Sequence, residues 1–144
     1  MPISIVLMRE KRMATNEEIP AQPTHAPIKT ILIVEDDPSI GDMFMQTLVE
    51  EHIYHPVLVT SGAEALEIVK EITPHLLLLD YHLPNMNGLE LYDHLHAMTG
   101  LAHIPAILIT AGVLQYDIQD RHMVGMSKPV DINKLLDIIA ELLD

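Results

Sequence analysis

Cysteine is missing from all 144 residues, so neither a disulfide framework nor a thiolate-bound metal is available to this chain. Long apolar runs are missing as well. No stretch approaches the ~20 residues of a membrane span, and the apolar run at residues 3–8 is short, with Arg9, Lys11 and Arg12 on the wrong side for a secretory signal. A cytoplasmic protein without membrane insertion is the expectation. Basic side chains are scarce: 8 Lys and Arg stand against 21 Asp and Glu, for a formal net charge of -13. Four of the basic residues (Arg9, Lys11, Arg12 and Lys29) but only three of the acids fall within residues 1–29, which leaves 4 basic and 18 acidic residues in the rest of the chain. A body of that sign has no electrostatic footprint for nucleic acid, so direct nucleic-acid binding is not expected.

What is present is a regular body behind an irregular leader. Residues 1–29 show no sustained helical or strand period and contain Pro20, Pro23 and Pro27, which break both structures. They predict a disordered or loosely attached tail, with Met8 and Met13 as alternative starts. The run ISIVLM within it suits a sheet edge or a partner, although a leader without a packing role is the simpler reading. Residues 30–144 then form one domain, and 49% hydrophobic content gives it a core.

Residues 31–34 (ILIV) read as a buried strand, followed by Glu35, Asp36, Asp37 and Pro38. Asp37 is placed to cap a helix that starts with Pro38 and carries Ile40, Phe44 and Leu48 on one face. A second strand is expected at 56–59. Ser61 and Glu64 have the spacing of a capping box before a helix with Leu66, Val69 and Ile72 inward. Leu76, Leu77, Leu78 and Leu79 lack the alternation of a half-exposed strand and predict one buried on both faces, ending at Asp80. Asn87 and Gly88 open a helix with Leu91, Leu95 and Met98. A fourth strand at 104–109 ends at Thr110, Ala111 and Gly112, and a last helix over 131–143 carries a stripe of Ile132, Leu135, Leu136, Ile139, Leu142 and Leu143. Residues 113–127 are the least legible: Leu114 and Ile118 give a thin apolar face, which predicts a short or irregular fourth helix before a short fifth strand. The alternation predicts an α/β fold, a parallel sheet with helices on both faces.

In such sheets ligands bind beyond the carboxyl ends of the strands. That rule gathers Glu35, Asp36, Asp80, Thr110 and Lys128 at one crevice. A carboxylate at the end of a buried strand is expensive unless paired, and three converging carboxylates repel one another until a cation binds. Oxygen-only ligands on an open site suit magnesium better than calcium. His94 and His96, two apart on a helix, make a poor metal pair. Tyr81, Tyr92 and Tyr116 lack a stacking platform and read as packing or surface residues.

The motifs ILIVEDDP, LLLLDYHLPNMNG, PAILITA and SKP occur in that order, and over residues 30–144 the chain resembles the receiver domain of two-component response regulators, in the stand-alone form typified by chemotaxis regulators. The resemblance implies a flavodoxin-like doubly wound sheet of five strands in order 2-1-3-4-5. It implies that Asp80 accepts a phosphoryl group from a phosphohistidine on a histidine kinase or histidine phosphotransfer protein. Mg2+ would be held by Glu35, Asp36, Asp80 and the main-chain carbonyl of His82. Thr110 and Lys128 would contact the phosphoryl group, Ala111 and Gly112 would let the backbone approach it, and Lys128-Pro129 would be a cis turn. Such a chain is not an enzyme in the usual sense but a phosphoacceptor that assists its own phosphorylation and dephosphorylation. The His82 side chain is placed to alter the lifetime of the acyl phosphate. Output would pass to a downstream protein target, by phosphorelay or through a homodimer. The competing expectation is a receiver-fold adaptor whose partner binding is independent of phosphorylation.

Two departures from the family fall in one place. The interval from Thr110 to Lys128 is about one helical turn shorter than the family usually has, and Gly125 stands where an aromatic residue is common. In the family a Thr hydroxyl moves toward the phosphate and that aromatic turns inward; Gly125 has no side chain to turn. Ile138, off the stripe of the last helix, is expected as an exposed apolar residue or a contact surface.

Overall fold

Unbroken apolar strands can only be satisfied by cover on both faces, and that is how the sheet is built. The computed structural model describes residues 28–112, 118 and 121–144. Residues 1–27 of the expected tail, and the expected fourth helix with Leu114 and Tyr116, lie outside the described residues. Five strands, β1 (Lys29–Val34), β2 (Tyr54–Val59), β3 (Leu76–Asp80), β4 (Ala106–Thr110) and β5 (Met123–Ser127), form one parallel sheet in the order β2-β1-β3-β4-β5. Four helices are described: α1 (Pro38–Val49), α2 (Gly62–Ile68), α3 (Gly88–His96) and α4 (Ile132–Leu143).

Strand residues of alternate parity feed two cores. Ile31 and Ile33, Leu76 and Leu78, and Ile107 and Ile109 pack with Phe44 and Leu48 of α1 and with Leu135 and Ile139 of α4. Their neighbours Leu32, Val34, Leu77, Leu79 and Leu108 pack with Ala65 of α2 and with Leu91 and Leu95 of α3. Burying each Leu or Ile contributes about 1.5–3 kcal/mol, and the fully buried leucines of β3 supply both cores at once.

Side-chain caps fix where the helices begin. Asp37 accepts from the amides of Ser39 and Ile40, Asn87 and Glu90 form a reciprocal capping box, and Asp131 accepts from the Lys134 amide. At α2 the box is displaced by one residue. Ser61 accepts from the Glu64 amide, but the Glu64 carboxylate turns back to the amide and hydroxyl of Thr60, at 2.7 and 2.9 Å.

Several boundaries differ from expectation. β1 opens at Lys29, whose amide donates to the Ile53 carbonyl, and β2 opens at Tyr54. α2 ends at Ile68, so Ile72 lies in the following turns; Pro74 keeps residue 73 out of helical geometry. α3 ends at His96, before Met98, and β4 begins at Ala106 and includes Thr110. Ile138 is half-buried against the α1/α4 core rather than exposed. No helix among the described residues is long and apolar enough to cross a membrane.

Candidate functional site

The carboxyl ends of β1, β3 and β4 place three polar residues where the strands around them are wholly apolar. Glu35, Asp80 and Thr110 are buried, at 2%, 3% and 5% exposure. β1 and β3 run side by side from Ile31 opposite Leu76 to Val34 opposite Leu79, so the next residues, Glu35 and Asp80, arrive together. Asp36 follows Glu35 and is exposed. One oxygen from each of Glu35, Asp36 and Asp80 lies within 4.8 Å of the others.

Asp80 is held on one oxygen. Its Oδ1 accepts from the His82 amide at 3.1 Å and lies 3.3 Å from Lys128 Nζ. Lys128 reaches it because β5 pairs with β4 to the end, Thr110 opposite Ser127, and because the Lys128 amide donates to the Thr110 carbonyl at 2.9 Å. The Lys128-Pro129 bond is cis. The Thr110 hydroxyl accepts from the Gly112 amide at 3.2 Å, and Ala111 and Gly112 are exposed, with open space around the Gly112 Cα.

Glu35 carries the electrostatic tension of the site. Its Oε2 accepts from the Asp37 amide at 3.1 Å, whereas its Oε1 is buried without a hydrogen-bond partner. Burial pushes the carboxyl from 4.5 up to about 7; the Asp37 amide opposes that rise, the charge of nearby Asp80 adds to it, and Lys128 opposes it. A buried carboxylate oxygen without a partner, beside two more carboxylates, is a donor set that fits a hard divalent cation. The residues present can therefore hold a metal ion.

Of the residues singled out from the sequence, Glu35, Asp36, Asp80, Thr110 and Lys128 come together at this edge. The His82 side chain is exposed and sits edge-on to the Tyr81 ring, with centroids 5.1 Å apart. Gly88 was read only as a helix start, yet it is part of the site's frame. A Cβ there would lie 2.6 Å from the Asp80 carbonyl oxygen and 2.7 Å from Leu108 Cδ1, so α3 approaches β3 closely only because this residue is glycine. Its position just after the cap Asn87, at the end of the turn that leaves Asp80, was the available signal. A second tie was not legible. Arg121 donates from Nε and a terminal nitrogen to both Asp93 oxygens at 2.9 and 2.8 Å, and the Tyr92 hydroxyl accepts from the His122 amide at 2.8 Å. These contacts fasten α3 to the residues entering β5.

Residues 31–140 match the family model of the response regulator receiver domain. The polar-differentiation response regulator DivK of Brucella ovis is 33% identical over 119 residues, 80% of this chain and 96% of the relative. Among solved structures, a CheY-like response regulator receiver domain protein from Methanospirillum hungatei superposes with a TM-score of 0.73 at 30% identity, covering 81% of this chain and 94% of that one. The signal receiver domain of a signal transduction histidine kinase from Syntrophus aciditrophicus gives 0.70 at 28% identity, covering 80% and 89%.

Proposed function

Because the chain belongs to the response regulator receiver domain family, we propose that it is a cytoplasmic single-domain receiver that takes a phosphoryl group onto Asp80 and signals through altered protein contacts or phosphorelay. The observation that carries this reading is the buried Asp80 carboxylate, contacted by Lys128 and flanked by Glu35 and Asp36. The donor is a phosphohistidine on a histidine kinase or histidine phosphotransfer protein. An apolar cavity of about 490 Å³ beside the site, lined by Ile40, Met43, Ile109, Lys128, Pro129 and Val130, suits contact with that protein.

Asp80 attacks as a carboxylate and needs no general base. Its Oδ1 is anchored by the His82 amide and Lys128, so Oδ2 forms the bond to phosphorus while the P–N bond to the donor imidazole breaks and the imidazole keeps the electron pair. Lys128 offsets negative charge on the phosphoryl oxygens, and the Thr110 hydroxyl, already near the Gly112 amide, turns to donate to one of them. Glu35, Asp36, Asp80 and the His82 carbonyl would hold magnesium. When bound, magnesium supplies positive charge at the phosphoryl oxygens and relieves the crowding of the three carboxylates. In dephosphorylation, a separate step, water attacks phosphorus, the bond from Asp80 to phosphorus breaks to release phosphate and regenerate Asp80, and the exposed His82 side chain sets how freely water enters. Replacing His82 with Ala is expected to change the dephosphorylation rate; an unchanged rate removes that role.

Incubation with acetyl phosphate and magnesium tests the reading. One phosphoryl mass should appear on the intact chain and none on Asp80→Ala; no addition to the wild-type chain overturns it. Gly125, which has no side chain to report the state of Thr110, favours a second reading, a receiver-fold adaptor. Capture of the same partners by Asp80→Ala and by beryllofluoride-treated protein would support that alternative.

A further inference from the structure

Four large apolar side chains are exposed among the described residues, and the backbone places three of them at the amino-terminal edge of the sheet, opposite Asp80: Ile28 (61%), Val49 (52%) and Ile53 (50%). The Lys29 amide donates to the Ile53 carbonyl at 3.2 Å, which sets Ile28 beside Ile53. The His52 amide donates to the Val49 carbonyl at 3.1 Å and His52 turns back with φ of 61°, which brings the end of α1 to the same place. Carboxylates rim this patch. Glu50 and Glu51 follow Val49 and are exposed. Burial first, then the charges of Glu51 and Asp144, raise the pKa of the neighbouring Tyr54 hydroxyl, so Asp144 also lies within electrostatic reach. Lys29, half-buried, starts β1 at this edge.

The chain itself holds a segment of complementary chemistry, and it joins the body at this patch. Residues 3–8 read Ile-Ser-Ile-Val-Leu-Met, and residues 9–12 read Arg-Glu-Lys-Arg. The family match begins only at residue 31, so this segment is no part of the receiver framework. We propose that residues 3–12 dock on the patch formed by Ile28, Val49 and Ile53, with Arg9, Lys11 and Arg12 facing Glu50, Glu51 and Asp144. The reach is sufficient. The connection from residue 12 to Ile28 spans about 20 Å even as a random coil, and tethering at that length gives an effective concentration on the order of millimolar, so a contact too weak to hold two separate molecules suffices. The patch lies at the opposite end of the sheet from Asp80, so docking leaves the carboxyl edge free and does not depend on phosphorylation.

Amide hydrogen exchange on the full chain tests this directly. Exchange over residues 49–54 is compared between the wild-type chain, the Ile5→Asp/Leu7→Asp variant and the Glu50→Lys/Glu51→Lys variant, with β3 as the internal control for folding. Docking predicts exchange at residues 49–54 about tenfold faster in both variants, with β3 unchanged and with wild-type rates independent of protein concentration. Equal rates in the wild-type chain and the Ile5→Asp/Leu7→Asp variant overturn the proposal. Protection that grows with protein concentration also overturns it, because the occupant would then be a second copy.

Discussion

The end of β3 and the middle of β5 present opposite conditions. At Asp80 every neighbour is specified: a buried carboxylate with an amide and an ammonium on Oδ1, Glu35 alongside, and a glycine behind it that admits no Cβ. At Gly125 little is specified. The residue is exposed and borders a cavity of about 630 Å³ that Thr110, Ile118, Met123, Met126 and Lys134 also line. A Cβ on Gly125 would come 3.1 Å from Ile118 Cδ1, the far end of a flexible side chain that can shift by a few tenths of an ångström. The contrast separates chemistry from transmission. The groups around Asp80 are fixed by the ends of several strands, whereas the space beside Gly125 is loosely filled.

The largest expected break in that contrast is at Lys128. Replacing it with Met removes the cation at Asp80 Oδ1 and should slow phosphorylation by acetyl phosphate about 100-fold, as loss of one charge-stabilising donor does. A loss under about threefold would mean that the ammonium is not part of the chemistry. Gly88→Ala comes next. The new Cβ meets the Asp80 backbone rather than a movable side chain, so overpacking of about 1–3 kcal/mol is expected in urea unfolding, together with slower phosphorylation. Undiminished stability would show that α3 can retreat from β3 without penalty.

A pH titration addresses Glu35. Its folded-state value of about 7 lies above 4.5, so the folded chain binds this proton more tightly than the unfolded chain does. The associated stability is fully present below pH 4.5 and is lost as pH rises through about 7. In chelator, Tm should fall by roughly 5 °C across that window, and magnesium added at pH 8 should restore it. Glu35→Gln should flatten the profile, and a wild-type profile already flat in chelator would remove Glu35 as the strained group. Gly125→Ala is the smallest change: stability within about 1 kcal/mol of wild type and an unaltered phosphorylation rate, because Ile118 yields at its tip. A rate change there would link β5 to the acceptor edge and weaken the contrast.

The convergence of polar residues at this edge was legible in the sequence because they end strands whose apolar runs are unmistakable. Four consecutive leucines fix β3, and Asp80 is the residue that breaks the run; ILIV followed by Glu35 and Asp36 repeats the device on β1. The capped helices were legible in kind but not in length. Pro74 bars the helix from residue 73 but does not place its end at Ile68, and nothing local to residue 98 states that α3 has ended by His96, since turns continue past each cap. Contacts between distant residues were out of reach. Asp93 and Arg121 stand 28 positions apart in the chain, and only the fold brings them to a two-point ion pair. Gly125 was legible as a departure, but the presence of Ile118 beside it required coordinates.

Three carboxylates, Glu35, Asp36 and Asp80, converge at this edge, and the proposed phosphoacceptor is Asp80. After reaction with acetyl phosphate and magnesium, borohydride reduces an acyl phosphate of aspartate to homoserine, and tandem mass spectrometry locates the change. Conversion at Asp80 alone, abolished by Asp80→Ala, is the predicted result; conversion at Asp36 or Glu35, or none in the wild-type chain, would contradict it.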